Sequence, residues 1–283
     1  MKIISEKRCI IGEGPIWNES EKRLYYTNGM GNEICMFDIG TGELKVRPFE
    51  KGAAAFAFDR ENRLIVSSFN CGVFILNDDD TTQDIYDTEK YPIKYCNDMK
   101  VGPDGRLYVG TQSGKMAGTS DSTDGKLYSI DKSGNVRVLL DNISVSNGLE
   151  WSIDEKLFYH TDSVTQIIKE YAFDLKSGDI EYTGRSLKVP NVDGFTIDEN
   201  GNIYAACWGH GYVAVIDTKE FKIKSHMELP VKAPSSCGFA GENMDILAIT
   251  TASYQVNIEE DKNAGYTLLK KMQTRGRKPY LFG

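Results

Sequence analysis

Histidine is scarce in this chain. Only three occur in 283 residues, His160, His210 and His226, which leaves little room for imidazole catalysis or a histidine-rich metal site. None of the six cysteines, Cys9, Cys35, Cys71, Cys96, Cys207 and Cys237, forms a Cys-x-x-Cys pair, and no paired Cys/His spacing suggests zinc. There is no run of roughly 18 or more apolar residues, so no membrane-spanning helix is expected. The opening MKIISEKRCI lacks the apolar stretch of a secretory signal. The thiols therefore read as reduced, mostly small core residues of a cytoplasmic protein. A basic excess is missing too. A net charge of −8 and a pI near 5.1 argue against nucleic acid as partner and lean toward a cationic ligand such as a metal ion.

Helix signals are nearly absent as well. What the chain has instead is a repeat. Met99 to Thr111 reads as strand, polar turn, strand; Leu149 to Thr161 and Phe195 to Cys207 have the same shape, with weaker copies at Ile16–Thr27, Phe56–Ser68 and Phe239–Thr251. The first apolar residue after each turn is Leu24, Leu64, Leu107, Leu157, Ile203 or Leu247, giving successive separations of 40, 43, 50, 46 and 44 residues by subtraction. A third strand-like run, rich in Val, Ile, Tyr and Phe, follows in five units: Glu33–Asp38, Gly72–Asn77, Lys126–Asp131, Ile168–Asp174 and Tyr212–Asp217. Short strands in units of this length describe an all-β, six-bladed β-propeller with four-stranded blades, spanning residues 1–283 as one domain. No repeating Trp-Asp pair points to a WD-type scaffold. The N-terminal run has no partner of its own, and Tyr266–Met272 is a good strand. Residues 1–9 should add a strand to the last blade and close the ring.

In a propeller the first strand of each blade lines the central channel. Ten residues before each aligned apolar position stand Gly14, Ala54, Asn97, Asn147, Asp193 and Cys237, with Glu13 one residue before the first. Each polar member has an ordinary explanation on its own. Glu13 could sit in a solvated turn, Asn97-Asp98 in an Asx-turn, and Asn147-Gly148 and Asp193-Gly194 in plain turns. Independent turns have no reason to share one phase of a repeat. Rotation about the ring would bring Glu13, Asn97, Asn147 and Asp193 to one mouth of the channel. Two carboxylates converging there need a counter-charge. An all-oxygen donor set suits Ca²⁺, Mg²⁺ or Mn²⁺, with Zn²⁺ less well matched.

Gly12-Glu-Gly-Pro-Ile-Trp17, Asn97-Asp98 with Lys100-Val101 and Pro103-Asp-Gly-Arg106, Ser144-Val-Ser-Asn-Gly-Leu-Glu-Trp-Ser152, Asp162-Ser163 and Asp193-Gly194 together resemble the SMP-30/gluconolactonase/luciferin-regenerating-enzyme-like (regucalcin-like) family. The likeness runs from about residue 10 to the end. It implies a six-bladed propeller with one divalent metal in the channel, calcium favoured, and hydrolysis of a sugar lactone or related small ester. It further implies that Glu13, Asn147 and Asp193 ligate the metal and that Asn97 contacts substrate or metal. The sequence departs from the pattern in two places. Regucalcin-like sugar lactonases carry an arginine where this chain has Tyr95, and an acidic residue in the region that reads Gln112-Ser-Gly-Lys115 here.

The mechanism expected from these residues has Asp193 as general base on the attacking water, or as the ligand that orients it. Tyr95, Lys115 and Trp208 are the further candidates for substrate contact. The polar loop Met116–Gly125 could overhang the mouth. His210 is a candidate for the mouth or for a hydrogen-bonded structural role. Cys237, in phase with the site, lacks a neighbouring base. Two other functions remain open: an organophosphate hydrolase using the same centre, and a non-catalytic metal- or sugar-binding propeller. The expected partner is a small-molecule lactone, and the chain is expected to be a monomer or weak dimer.

Overall fold

The computed structural model describes residues 1–114 and 123–283. Twenty-four strands pair antiparallel into six four-stranded sheets. A short strand, β1 (Lys2–Ile4), comes first. Blade one is β2 (Gly12–Asn18), β3 (Arg23–Asn28), β4 (Glu33–Asp38) and β5 (Leu44–Pro48). Blade two is β6 (Ala55–Phe58), β7 (Leu64–Ser68), β8 (Gly72–Leu76) and β9 (Thr82–Asp84). Blade three is β10 (Cys96–Val101), β11 (Leu107–Thr111), β12 (Gly125–Ile130) and β13 (Val136–Ile143). Blade four is β14 (Ser146–Trp151), β15 (Leu157–Asp162), β16 (Ile167–Phe173) and β17 (Ile180–Lys188). Blade five is β18 (Val192–Ile197), β19 (Asn202–Cys207), β20 (Tyr212–Asp217) and β21 (Lys222–Glu228). Blade six is β22 (Pro234–Ala240), β23 (Ile246–Thr251) and β24 (Thr267–Lys271), completed by β1 in the register Lys2↔Leu269, Ile3↔Leu268 and Ile4↔Thr267. The expected six-bladed ring with N-terminal closure is what the chain forms.

The innermost strands contact one another in succession, β2 to β6, β10, β14, β18, β22 and back to β2. Blades stack face to face, so inner strands are covered on both sides. That is why they read as near-continuous runs of apolar and small residues. Every residue of Ala55–Phe58, Ser146–Trp151 and Val192–Ile197 is buried. The outermost strands have one open side. In β17 and β21 no residue is fully buried. The residues that set the repeat phase are among the most deeply buried: Leu24, Leu107, Ile203 and Leu247 are core, while Leu64 and Leu157 are half-buried.

The end of the channel opposite the candidate mouth is crossed by a strap, residues 275–283. The Glu199 N–H donates to the Arg275 carbonyl (2.8 Å) and the Gly276 N–H to the Met244 carbonyl (2.8 Å). Arg277 reaches the carbonyls of Trp151 and Ser152 (3.3 and 3.2 Å) and pairs with Glu150. Lys278 bonds Glu19 (2.6 Å) and the Tyr280 hydroxyl donates to Glu155 (2.6 Å). The Phe282 N–H donates to the Phe58 carbonyl (2.9 Å) and the Gly283 N–H to the Gly105 carbonyl (3.0 Å). All six blades are touched. Inside the channel Glu150 joins two cations, Arg277 and Lys100 (3.0 Å), and the Lys100 ammonium also donates to the Phe195 carbonyl (3.1 Å). Burial would raise the Glu150 pKa, but the Lys100 and Arg277 charges together with the Trp151 N–H hold it below the ordinary range.

Breaking a buried, doubly paired carboxylate is costly because the partner charges stay behind. Glu150→Gln should lower the free energy of urea unfolding by about 3 kcal/mol or more. A loss under about 1 kcal/mol would show that the network does not fasten the strap.

Candidate functional site

The mouth is built by one backbone device used repeatedly. Five of the six inner strands pair with irregular register at their first residues: between Glu13 and Ile16, Cys96 and Met99, Asn147 and Leu149, Val192 and Phe195, and Pro234 and Ser236. A β-bulge adds a residue and re-aims the side chains beside it. Here the irregularities coincide with Glu13, Asn97-Asp98, Asn147 and Asp193. The second blade, whose mouth residue is Ala54, pairs regularly. Gly148 shows what the bulge demands. Its φ is +47°, and a Cβ there would collide with the Phe195 ring and press on the Asp193 carbonyl at 2.9 Å.

Asn147 and Asp193 are buried and in direct contact, the Asn147 amide nitrogen donating to an Asp193 carboxylate oxygen. The same nitrogen donates to the Ser163 hydroxyl (3.1 Å), which itself donates to the Val192 carbonyl (2.9 Å). The Gly148 N–H donates to the Asn147 amide oxygen (3.2 Å). Glu13 and Asp98 are half-buried. Asn97 donates from its amide to the Ser146 carbonyl (2.9 Å), tying blade three to blade four.

The electrostatics identify a partner that the repeat alignment passes over. Burial raises the Glu13 carboxyl well above its ordinary range, and the charges of Asp193 and Asp98 push it further. Burial also raises Asp193, to about 8, with Asp98 adding to it; the Asn147 amide and the Gly194 N–H work against the rise. Asp98 is raised as well, by burial first, although Lys100 pulls it down. The acidic set is therefore Glu13, Asp98 and Asp193. Counting ten residues back selected Asn97 and stopped one residue short of Asp98. Two consecutive oxygen-bearing residues at a bulge were the available signal.

Among the described residues, no group of three or more His, Cys, Asp and Glu side chains stands as a metal cluster. Glu13, Asp98 and Asp193 therefore do not form such a cluster by themselves; the donor set expected from the sequence, Glu13, Asn147 and Asp193, has two carboxylates and an amide oxygen. Its chemistry fits a hard divalent cation: carboxyls pushed toward their neutral forms by burial, Glu13 also by the Asp193 charge, are what such an ion would relieve.

Tyr95 lies at the rim, half exposed, two residues before Asn97. Trp208 follows β19 on the same face and lines a shallow pocket of about 270 Å³ with Lys232, Tyr254 and Glu260, beside blade five. Lys115 and the loop up to residue 122 lie outside the described residues. His210 is exposed with its ring 5.7 Å from that of Tyr212. His160 is buried, shares a 2.8 Å hydrogen bond with the Ser146 hydroxyl, and is held neutral by burial, its pKa lowered to about 3. Burial raises the Cys237 thiol well above its ordinary range, which removes it as a nucleophile at neutral pH.

Residues 11–253 match the SMP-30/Gluconolactonase/LRE-like region. The "Putative sugar lactone lactonase YvrE" of Bacillus subtilis is 30% identical over 98% of this chain and 97% of its own. Human regucalcin is 26% identical over all of this chain and 98% of its own. Among solved structures, a calcium-binding protein, regucalcin, from Agrobacterium tumefaciens superposes with a TM-score of 0.88 at 22% identity, covering 99% of this chain and 96% of that one. The chain belongs to the SMP-30/gluconolactonase/LRE-like family.

Proposed function

We propose that this protein is a divalent-metal-dependent hydrolase that opens a lactone ring at the channel mouth. The observation that carries the reading is the set of half-buried Glu13 and Asp98 and buried Asp193 with the Asn147 amide, an acidic centre on inner strands in a family whose members include gluconolactonases. Glu13, Asn147 and Asp193 would hold the cation, with calcium matching the hard oxygen donors best. Such an ion, when bound, polarises a carbonyl oxygen and acidifies water. The chain's own residues do the rest. Asn147 and the Gly194 N–H orient the Asp193 carboxylate. Asp193 takes the proton of the attacking water as its oxygen adds to the acyl carbon, and that proton leaves with the ring oxygen when the C–O bond breaks. Asn97, next to Asp98, would contact the substrate through its amide oxygen, its nitrogen being bonded to the Ser146 carbonyl. Trp208 is a further contact from the fifth blade.

Asp193→Ala and Asn147→Ala should each weaken divalent-cation binding at least tenfold by calorimetry and abolish turnover across a panel of lactones. Full activity of Asp193→Ala after metal stripping would sink the mechanism.

The same carboxyls predict a pH dependence of the metal-free protein. A group with its folded pKa near 8 and its unfolded value near 3.8 prefers its proton in the folded state. Its contribution to stability is complete below about pH 4 and is lost as pH rises through 8, at up to about 1.4 kcal/mol per pH unit. The melting temperature of chelator-treated protein should therefore fall between pH 5 and pH 8.5. A divalent cation added at pH 8.5 should restore it. A flat profile without metal would contradict the assignment.

A further inference from the structure

The rim beside Asn97 carries a feature that hydrolysis alone does not require. Tyr95 has a φ of +59°, a left-handed conformation that costs a bulky residue energy. The surroundings enforce it. The Tyr95 N–H donates to the Phe69 carbonyl (2.6 Å), and the Tyr95 carbonyl accepts from the Gln112 N–H (2.8 Å). Its ring lies against the Cα of Gly114, where a Cβ would collide with it. Phe69 packs edge-to-face on it, with centroids 5.2 Å apart and planes at 65°. Strain is spent here on holding an aromatic pair out in solvent: Tyr95 is 36% and Phe69 38% exposed. Phe69 follows the end of β7 and Tyr95 precedes β10, so both lie on the mouth face. At 3.8 Å per residue, the Tyr95 Cα is at most about 11 Å from that of Asp98.

We infer that Tyr95 and Phe69 form a substrate platform for an aromatic or bulky apolar group, so that the physiological substrate is an aryl or apolar lactone rather than a polyhydroxylated sugar lactone. This rests on the lactonase reading above. With the carbonyl at the acidic centre, a ring fused to or substituted on the lactone reaches the exposed faces of the pair. Desolvating those faces favours apolar substituents over hydroxyl-covered ones. Gly114 is a positioning residue, since it leaves room for the Tyr95 ring to stay where it is.

The test compares dihydrocoumarin with glucono-δ-lactone, for the metal-loaded protein and for Tyr95→Ala, Tyr95→Phe, Phe69→Ala and Gly114→Ala. The expected kcat/KM favours dihydrocoumarin at least tenfold. Tyr95→Ala and Phe69→Ala should raise its KM about tenfold, with kcat changed less than threefold, and so shrink the preference. Tyr95→Phe should retain it, and Gly114→Ala should resemble Tyr95→Ala. A preference for gluconolactone, or KM changes that are equal for both substrates, would overturn the inference while leaving lactone hydrolysis standing. Should neither lactone turn over, the lactonase reading fails. The platform is then judged by calorimetric binding of the ring-opened product, 3-(2-hydroxyphenyl)propanoate. Binding weakened about tenfold by Tyr95→Ala supports it, and binding that is absent or indifferent to Tyr95 overturns it.

Discussion

Everything at the channel mouth depends on the cost of placing three carboxyls around one axis. Glu13, Asp98 and Asp193 come from blades one, three and five, and each is driven toward its neutral form first by burial; the Asp98 charge adds to this at Glu13 and Asp193, and the Asp193 charge at Glu13. An open loop would relax such a set by letting the side chains swing into water. The propeller prevents this. The three residues stand at the starts of inner strands whose neighbours on both sides are other inner strands. The side chains cannot retreat without unpairing a blade. On the proposed reading, a preorganised acidic centre of this kind would bind a cation with little cost of assembly.

The two ends of the channel divide the labour of keeping that arrangement. At the mouth, irregular pairing in five inner strands turns side chains inward, and Gly148 clears the space that Phe195 occupies. At the far end, residues 275–283 bridge all the blades, and β1 closes the sixth. A ring of sheets has two weak points, its seam and its hollow axis. The N-terminal strand secures one and the C-terminal strap the other.

How much of this was legible in the sequence follows from what each feature repeats. Leu24, Leu107, Ile203 and Leu247 recur because each is the first or second residue of the second strand of a blade and is buried in the core, so blade number and closure could be read. Glu13, Asn147 and Asp193 inherit that phase, and so they too could be found. Asp98 escaped because it shares its bulge with Asn97, and a fixed count selects one residue of the pair. The strap escaped entirely. It occurs once, has no period, and owes its conformation to single contacts such as Arg277 with Glu150. Tyr95 was visible as an aromatic residue near Asn97, but its φ and its dependence on Gly114 are properties of backbone geometry that composition does not record.

Glu150 and Asp98 make the functional division of the channel plain. Both are carboxylates of adjoining blades, Glu150 buried and Asp98 half-buried, and both feel the Lys100 charge. Glu150 is held ionised because the Lys100 ammonium and the Arg277 guanidinium bond it directly. Asp98 feels Lys100 without a salt bridge to it, and its carboxyl instead accepts the Met99 N–H (2.8 Å). Burial therefore wins at Asp98 and loses at Glu150. The chain supplies cations to the carboxylate that fastens its fold. It leaves those at the mouth, Asp98, Asp193 and Glu13, to be neutralised by a proton or by a ligand from outside. Opposite pKa directions among neighbouring acids thus distinguish Glu150, tied to two cations, from the mouth acids to which the proposed function assigns chemistry.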